Sequence, residues 1–454
     1  MAQQRTMLLP SPKNPKPIAD FWANPIKFLS ELHAECGPTA AFDDTEQGIL
    51  STLDSALIDE LFNSPDRFVM RVSPVAPRPD TAAFRILHAF THQEHDTHRN
   101  HRAPAAHYLR RETFRHSIAQ LTEIIDRYFD RWEYGQIIDP MVEGKRLTSR
   151  LSIGSFLGNL SEEDLAYNRE ITGRWMQKIG DSTIEVTDTP IEGTSYYELN
   201  QISEQIEQFY LDKINEEREK PGTHPLLGVM LNPHFAHHYS DTELASNLNT
   251  IIASTETLST HYAWVLLMLS QYPEWSQAIL DEIKQIVPNG SYTLEQLDQH
   301  QTLSHVLKET NRMFPPAAIL TRKALNYTTL GNYNVNKDSS VFVCTHLLHR
   351  DPKSFDNPNQ FNPNRWHTAV PSPYLHLPFG LGAHLCVAMR WAQAVTQLFF
   401  IRFYQRFSFR LADTGECAWG FHITGNPTNF KIELLPPDHP FEKQPIRGPI
   451  STMI

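Results

Sequence analysis

Cys386 lies in the run Phe379-Gly380-Leu381-Gly382-Ala383-His384-Leu385-Cys386-Val387-Ala388-Met389-Arg390, where a sulfur follows a glycine-bearing loop. Pro378 and the two glycines preclude regular helix before it. Val387 to Phe407 contains no breaker, so the pattern predicts Cys386 near a helix start. There the helix dipole and free N–H groups lower a thiol's pKa and favour a thiolate, the form that ligates metal. Gly380 and Gly382 let backbone pass close to something flat and bulky, and Phe379 offers an aromatic wall. A haem held through an axial thiolate fits that description. Two other readings stay open: a small core cysteine, and the opening of a dinucleotide loop whose third glycine falls on Leu385, with no clear strand before it.

Other side chains of chemical interest sit on predicted helices. His92, His95, His98 and His101 recur at every third position, which places neighbours on adjoining parts of one face. Zinc or nickel binding is one reading and solvated histidines the other, since no HExxH pattern or cysteine accompanies them. Asp241 to Tyr272 reads as one helix, capped by the aspartate and stopped before Pro273. Its middle, Ile251-Ile252-Ala253-Ser254-Thr255-Glu256-Thr257-Leu258, interrupts an apolar pattern with groups that need partners when buried. One reading has Thr257 bonding back to the Ala253 carbonyl and Glu256 reaching solvent. Glu309 and Arg312 share a face of a helix ending at Met313, a pairing that on most helices is worth only tenths of a kcal/mol.

The elements that must position these groups belong to a chain of 454 residues with 40% hydrophobic content and no low-complexity linker, which suggests one domain over residues 1–454. Four cysteines, Cys36, Cys344, Cys386 and Cys417, are too few and scattered for a disulfide framework, so a reducing compartment, the cytoplasm, is expected. A formal net charge of −12 argues against a nucleic-acid partner. The N-terminal residues carry only a tiny apolar run before Pro10, so neither signal peptide nor membrane anchor is expected. Ile26 to Ala34 reads as a short helix, Ala40 to Leu53 as strand and turn, and Met70 to Thr91 as an irregular apolar loop able to line a pocket. Residues 113 to 160 look helical around a stripe of Leu121, Ile124, Ile125, Tyr128, Phe129 and Trp132. Ser195 to Glu219 is a long amphipathic helix, Thr293 with Gln296 a capping box, and Ala317 to Thr345 a set of strands turning at Gly331-Asn332 and Lys337-Asp338.

The cysteine segment resembles the haem-binding loop of the cytochrome P-450 superfamily, Phe-Gly-x-Gly-x-(Arg or His)-x-Cys-x-Gly, through Phe379, Gly380, Gly382, His384 and Cys386, with Ala388 in place of the last glycine. His98 and Arg102 are similar to the pair that neutralises the haem propionates. Ala253, Glu256 and Thr257 match the oxygen-activating helix motif, with Ser254 for the usual glycine. Glu309-x-x-Arg312 before Phe314-Pro315-Pro316, and Phe361-x-Pro363-x-Arg365, resemble the structural triad that holds the core against the cysteine loop without touching substrate. Arg322 matches the arginine that reaches a propionate, and His349-Arg350-Asp351-Pro352 is also family-like.

The resemblance implies a mainly α fold with a small β region, enclosing one haem b ligated by Cys386. It implies monooxygenation, with one atom of dioxygen entering a C–H or C=C bond and electrons coming from a ferredoxin- or flavodoxin-type donor, as in soluble bacterial members. Glu256 and Thr257 are then the proton-delivery groups, and His98, Arg102, Arg322, Phe379 and His384 contact the cofactor. Ala253, Ala318, Ile319 and, in a terminal loop from Trp419 to Pro427, Ile423 are pocket candidates; being small or apolar, they suggest a hydrophobic substrate. Peroxide-driven oxidation, a rearrangement without reductant, and a haem-thiolate sensor remain alternatives on the same scaffold.

Overall fold

Caps written in the sequence set the starts of many helices in the computed structural model, which describes residues 9–14, 16–43, 48–71, 73–287, 290, 292–412, 415–421 and 424–454. Ile18–Ala23 (α1) and Pro25–Cys36 (α2) lead to Thr39–Asp43 (β1), Ile49–Thr52 (β2), Ser55–Phe62 (α3), Phe68–Met70 (β3) and Ala82–Leu87 (α4). A helical stretch follows: His95–Tyr108 (α5), Arg111–Phe129 (α6), the short strand Ile137–Ile138 (β4), Pro140–Phe156 (α7), Glu162–Ile179 (α8), Ser195–Glu219 (α9) and Pro225–Met230 (α10). Then come Asp241–Ala253 (α11), Glu256–Gln271 (α12), Pro273–Ile286 (α13), Leu294–Leu297 (α14) and Gln301–Met313 (α15). The remainder comprises Ile319–Ala324 (β5), Thr328–Leu330 (β6), Tyr333–Val335 (β7), Ser340–Cys344 (β8), Thr345–Leu348 (α16), Met389–Arg406 (α17), Ser408–Leu411 (β9), Ala418–Phe421 (β10), Gly425–Thr428 (β11) and Ile432–Leu435 (β12).

Helices thus dominate, as expected. The largest sheet has the order β1-β2-β8-β5-β3 and is antiparallel except where β2 runs parallel to β8; β4-β12-β9 form a second sheet. Every residue of α12 from Leu258 to Gln271 is buried, so this helix is core on all sides. Trp264 stacks on Phe314 with centroids 4.0 Å apart, and Tyr262 on Phe399 at 4.3 Å. Against α12 lies α7, at a crossing where a Cβ on Gly144 would stand 3.0 Å from Ser259 Cβ. Only glycine lets the two backbones come this close. Among the described residues no helix is long and apolar enough to cross a membrane.

The structure departs from the sequence reading in four places. The stretch expected as an irregular loop from Met70 to Thr91 contains α4, capped by Thr81 and pinned by Asn200 Oδ1, which accepts the Ala83 N–H at 3.1 Å, and by Ser246 Oγ, which donates to Ile86 O at 3.0 Å. The helical region from 113 to 160 is divided by Gly135, at φ 82°, and by β4. The helix expected from Asp241 is capped by Ser240 in a reciprocal box with Glu243, not by the aspartate. It also breaks at Ser254-Thr255, so α11 and α12 are separate helices.

A candidate cysteine-centred cofactor site

The loop before α17 folds back on itself: Cys386 N–H donates to Phe379 O at 2.9 Å and Leu385 N–H to Gly382 O at 3.1 Å. Gly382 holds φ 69°, and a Cβ there would lie 3.0 Å from Phe62 O, so glycine is required twice over. Ala388 sits at φ −94°, a conformation open to any residue, which explains why the usual glycine is dispensable there. Cys386 is partly buried and precedes α17, which begins at Met389. Burial pushes its thiol pKa up, and the Ala388 N–H and the charge of Arg102 only partly offset this. The expected lowering by a helix start is therefore not found; a thiolate here needs a bound cation.

Three cationic or ionisable groups reach the same loop. Arg102 donates from Nη2 to Leu385 O at 2.6 Å. His98, buried, places Nδ1 2.7 Å from Phe90 O and Nε2 3.1 Å from Ala383 O. Both partners are acceptors, so a neutral ring serves only one of them. His384 lies beside His98, with ring centroids 4.1 Å apart, and its Nε2 is 2.9 Å from Glu94 Oε2. Glu94 also accepts the Met70 N–H at 3.0 Å. Burial raises the Glu94 carboxyl pKa, but His384, the Met70 N–H and Arg322 outweigh it and leave the pKa lowered.

Arg322 is only 3% exposed. Its guanidinium lies 4.2 Å from the centroid of Phe62, donates to Thr321 O at 2.9 Å, and has no carboxylate in bonding distance among the described residues. Burial pushes its pKa down to about 10, with only partial relief from Glu94. A buried cation so placed is costly unless an anion joins it. His384 Nδ1 is likewise buried without a partner. The loop sulfur, the glycine passage and these cations suit haem, with its flat ring, metal and carboxylates. His95 and Arg99, which have the same spacing, stand in solvent against Asp66 and Asp96. His101, expected at the surface, is instead buried, with Nε2 2.8 Å from His238 O.

At the break between α11 and α12, hydroxyls replace helix bonding. Ser254 Oγ donates to Ile251 O at 2.9 Å, Thr255 Oγ1 to Ile252 O at 2.7 Å and Thr257 Oγ1 to Ser254 O at 2.8 Å. The backbone here follows the tighter three-residue spacing, Thr255 N–H to Ile252 O and Thr257 N–H to Ser254 O, each at 3.2 Å. Ser254, Thr255 and Thr257 therefore open the helix where the motif usually has a glycine. Thr257 bonds to Ser254 and not to Ala253. Glu256 does not end free in solvent; it pairs with Lys145 of α7. Ala253, buried, closes α11.

The triad forms as the motifs imply. Glu309 and Arg312 are both fully buried; Glu309 accepts from Arg312 Nε at 3.0 Å, Arg312 Nη2 at 2.9 Å, Arg365 Nε at 2.9 Å and Trp366 Nε1 at 3.0 Å. His349 extends it: Nδ1 donates to Arg312 O at 3.2 Å and Nε2 accepts the Leu377 N–H at 2.8 Å, tying α15 to the chain entering the cysteine loop. Ala318 is fully buried, and Ile319 packs on the cluster containing Phe21, Phe28 and Phe342. Ile423 lies outside the described residues. In the expected terminal loop β10 pairs antiparallel with β11, and Trp264 Nε1 donates to Gly425 O at 2.7 Å. Sequence reasoning missed Glu94, Lys145 and the linking role of His349. Only His349 lay in a segment already marked by motif; a lone surface-type acid and lysine carry no spacing signal.

Comparison with known proteins agrees with this geometry. The family model described as Cytochrome P450 matches residues 183–419. Cytochrome P450 3A5 of Homo sapiens is 35% identical over 175 residues, which are 38% of this chain and 35% of that protein. The mitochondrial 25-hydroxyvitamin D-1 alpha hydroxylase of Rattus norvegicus is 35% identical over 153 residues, 33% of this chain and 30% of that protein. The matches thus span about a third of these relatives' length. In fold, the cytochrome P450DA heme domain superposes with a TM-score of 0.83 at 20% identity, covering 97% of this chain and all of that one. The retinoic acid bound cyanobacterial CYP120A1 gives 0.80 at 18% identity, covering 95% and 100%.

Proposed function

This chain belongs to the cytochrome P450 family, and from that premise we propose that residues 1–454 form one haem-thiolate monooxygenase domain acting on a hydrophobic small molecule in the cytoplasm. Bound through Cys386, haem b supplies dioxygen activation and the oxidation of a C–H or C=C bond, the anionic sulfur favouring O–O cleavage and a ferredoxin- or flavodoxin-type protein supplying electrons. The protein's part is to hold, orient and deliver protons. Arg102, His98 and Arg322 balance the propionate charges, while Glu94 fixes His384 beside them. Phe379 and the glycines leave room for the ring. Thr257 Oγ1, in the opened turn, is the hydroxyl for proton delivery, and Glu256, paired with half-exposed Lys145, links that turn to solvent.

One observation carries the reading: Arg102 reaches the glycine loop that bears the Cys386 sulfur, Arg322 lies buried where its charge acts on His384 of that loop, and neither has a carboxylate within ion-pair distance among the described residues. The decisive measurement is the Soret band of the reduced protein under carbon monoxide. Wild type should give the thiolate-ligated band, Cys386→Ser should lose it, and replacement of Cys36, Cys344 or Cys417 by alanine should leave it intact. A histidine-type band in the folded wild type overturns the assignment.

A further inference from the structure

Between α6, α7 and α8 lies a cleft of about 370 Å³ lined by Tyr128, Trp132, Arg131, Arg146, Arg150 and Arg169, together with Gln136 and Glu143. None of these residues belongs to the group around Cys386. Four guanidiniums in one cleft repel one another, and on a chain of net charge −12 their concentration needs a reason. Two of them are already matched. Arg146 donates to Glu143 Oε1 at 2.7 Å, while the other oxygen of Glu143 is held by Tyr128 OH at 2.6 Å and Trp132 Nε1 at 3.3 Å. Arg150 forms a forked pair with Glu162, its Nη1 2.7 Å from Oε1. Arg131 and Arg169 have no carboxylate within ion-pair distance among the described residues; Glu162, already forked to Arg150, acts on both through its charge at longer range, and Arg131 rests over the Tyr128 ring, 5.8 Å from its centroid. The cleft therefore carries two spare positive charges, each on a planar donor fork suited to an oxyanion.

We propose that this cleft binds a small phosphate monoester, the dianion that matches the two spare guanidiniums of Arg131 and Arg169. The volume is that of a small-molecule site and not of a protein interface. A phosphate monoester approaches two negative charges above its second pKa near 6, whereas a sulfate ester carries one. Glu143 acts as scaffold, its oxygens saturated by Tyr128, Trp132 and Arg146, so that it does not compete for the free guanidiniums.

The test is calorimetric titration of the haem-loaded full chain at low ionic strength with phenyl phosphate, inorganic phosphate and phenyl sulfate. Phenyl phosphate should bind more tightly at pH 7.5 than at pH 5, and Arg131→Gln or Arg169→Gln should each weaken it about tenfold. Substituting Arg131 or Arg169 breaks no ion pair among the described residues, and an unchanged melting curve checks that the variants fold. Stronger binding of phenyl phosphate than of inorganic phosphate assigns the site to esters; equal binding assigns it to the phosphate group alone. Phenyl sulfate binding as tightly as phenyl phosphate overturns the dianion match. So does phosphate or phenyl phosphate binding that survives in the double variant, or no binding of either by about 10 mM.

Discussion

Arg322 shows how a single side chain reports on something the protein is built to hold. An arginine 3% exposed, with an aromatic ring on one side and no carboxylate in bonding distance among the described residues, keeps its charge at a cost. Arg322→Ala should therefore leave the haem-free protein no less stable, or stabilise it, while the loaded protein loses haem to apomyoglobin at least tenfold faster. Arg102→Ala should share the second effect. If both variants retain haem like wild type, these residues do not balance the propionates. At this scale the motifs were legible as segments that the fold brings together: His98 and Arg102 meet the loop of Cys386, and Arg365 meets Glu309. Glu94 was not. It precedes α5 as one acid among many in the sequence, and only folding brings it within 2.9 Å of His384, 290 residues away. His95 and Arg99 have the same spacing as His98 and Arg102, but His95 and Arg99 stand in solvent while His98 is buried.

Helices such as α9 were legible to the residue because their apolar period, N-cap and terminal Lys-Pro-Gly agree. The break between α11 and α12 was not, because Ser254, Thr255 and Thr257 are compatible with helix until their side chains turn back onto carbonyls. Just beyond that break, α12 crosses α7 with Ser259 against Gly144. Gly144→Val should force the helices apart, cost about 1–3 kcal/mol of stability, and separate Lys145 from Glu256. Lys145→Met leaves the crossing intact and removes a half-exposed charge, so its effect on stability should stay within about 1 kcal/mol. If the Lys145–Glu256 pair serves proton delivery, both variants should yield less product per electron donor consumed while haem content holds. Full coupling in Lys145→Met, with the fold intact, removes Lys145 from that role. A normal melting temperature in Gly144→Val contradicts the crossing itself.

For the molecule as a whole, burial of histidines sets how stability responds to acid. His261 lies inside the core of α12 with Nδ1 unpartnered, and burial pushes its pKa down to about 3. His376 is also pushed down to about 3, by burial first and then by the charges of Arg312 and Lys308. His346 and His349 are driven well below the usual value, chiefly by burial. These rings stay neutral in the folded chain, whereas in the unfolded chain each takes up a proton near pH 6.5. Between pH 6.5 and about 4 the unfolded state therefore binds more protons, so stability must fall as pH falls, by about 1.4 kcal/mol per pH unit for each histidine. The loss begins below pH 6.5 and nothing from this source changes above it. Carboxylates with lowered pKa, such as Glu94, add their loss only below their ordinary range. Urea midpoints of the haem-loaded protein should thus be level between pH 7.5 and 7 and drop clearly by pH 5.5. His261→Phe fills the same apolar site without a titrating group, so its slope should be shallower by about one histidine's share. A midpoint that holds or rises from pH 7 to 5.5, or an unchanged slope in a folded His261→Phe, would mean that these rings are protonated inside the fold.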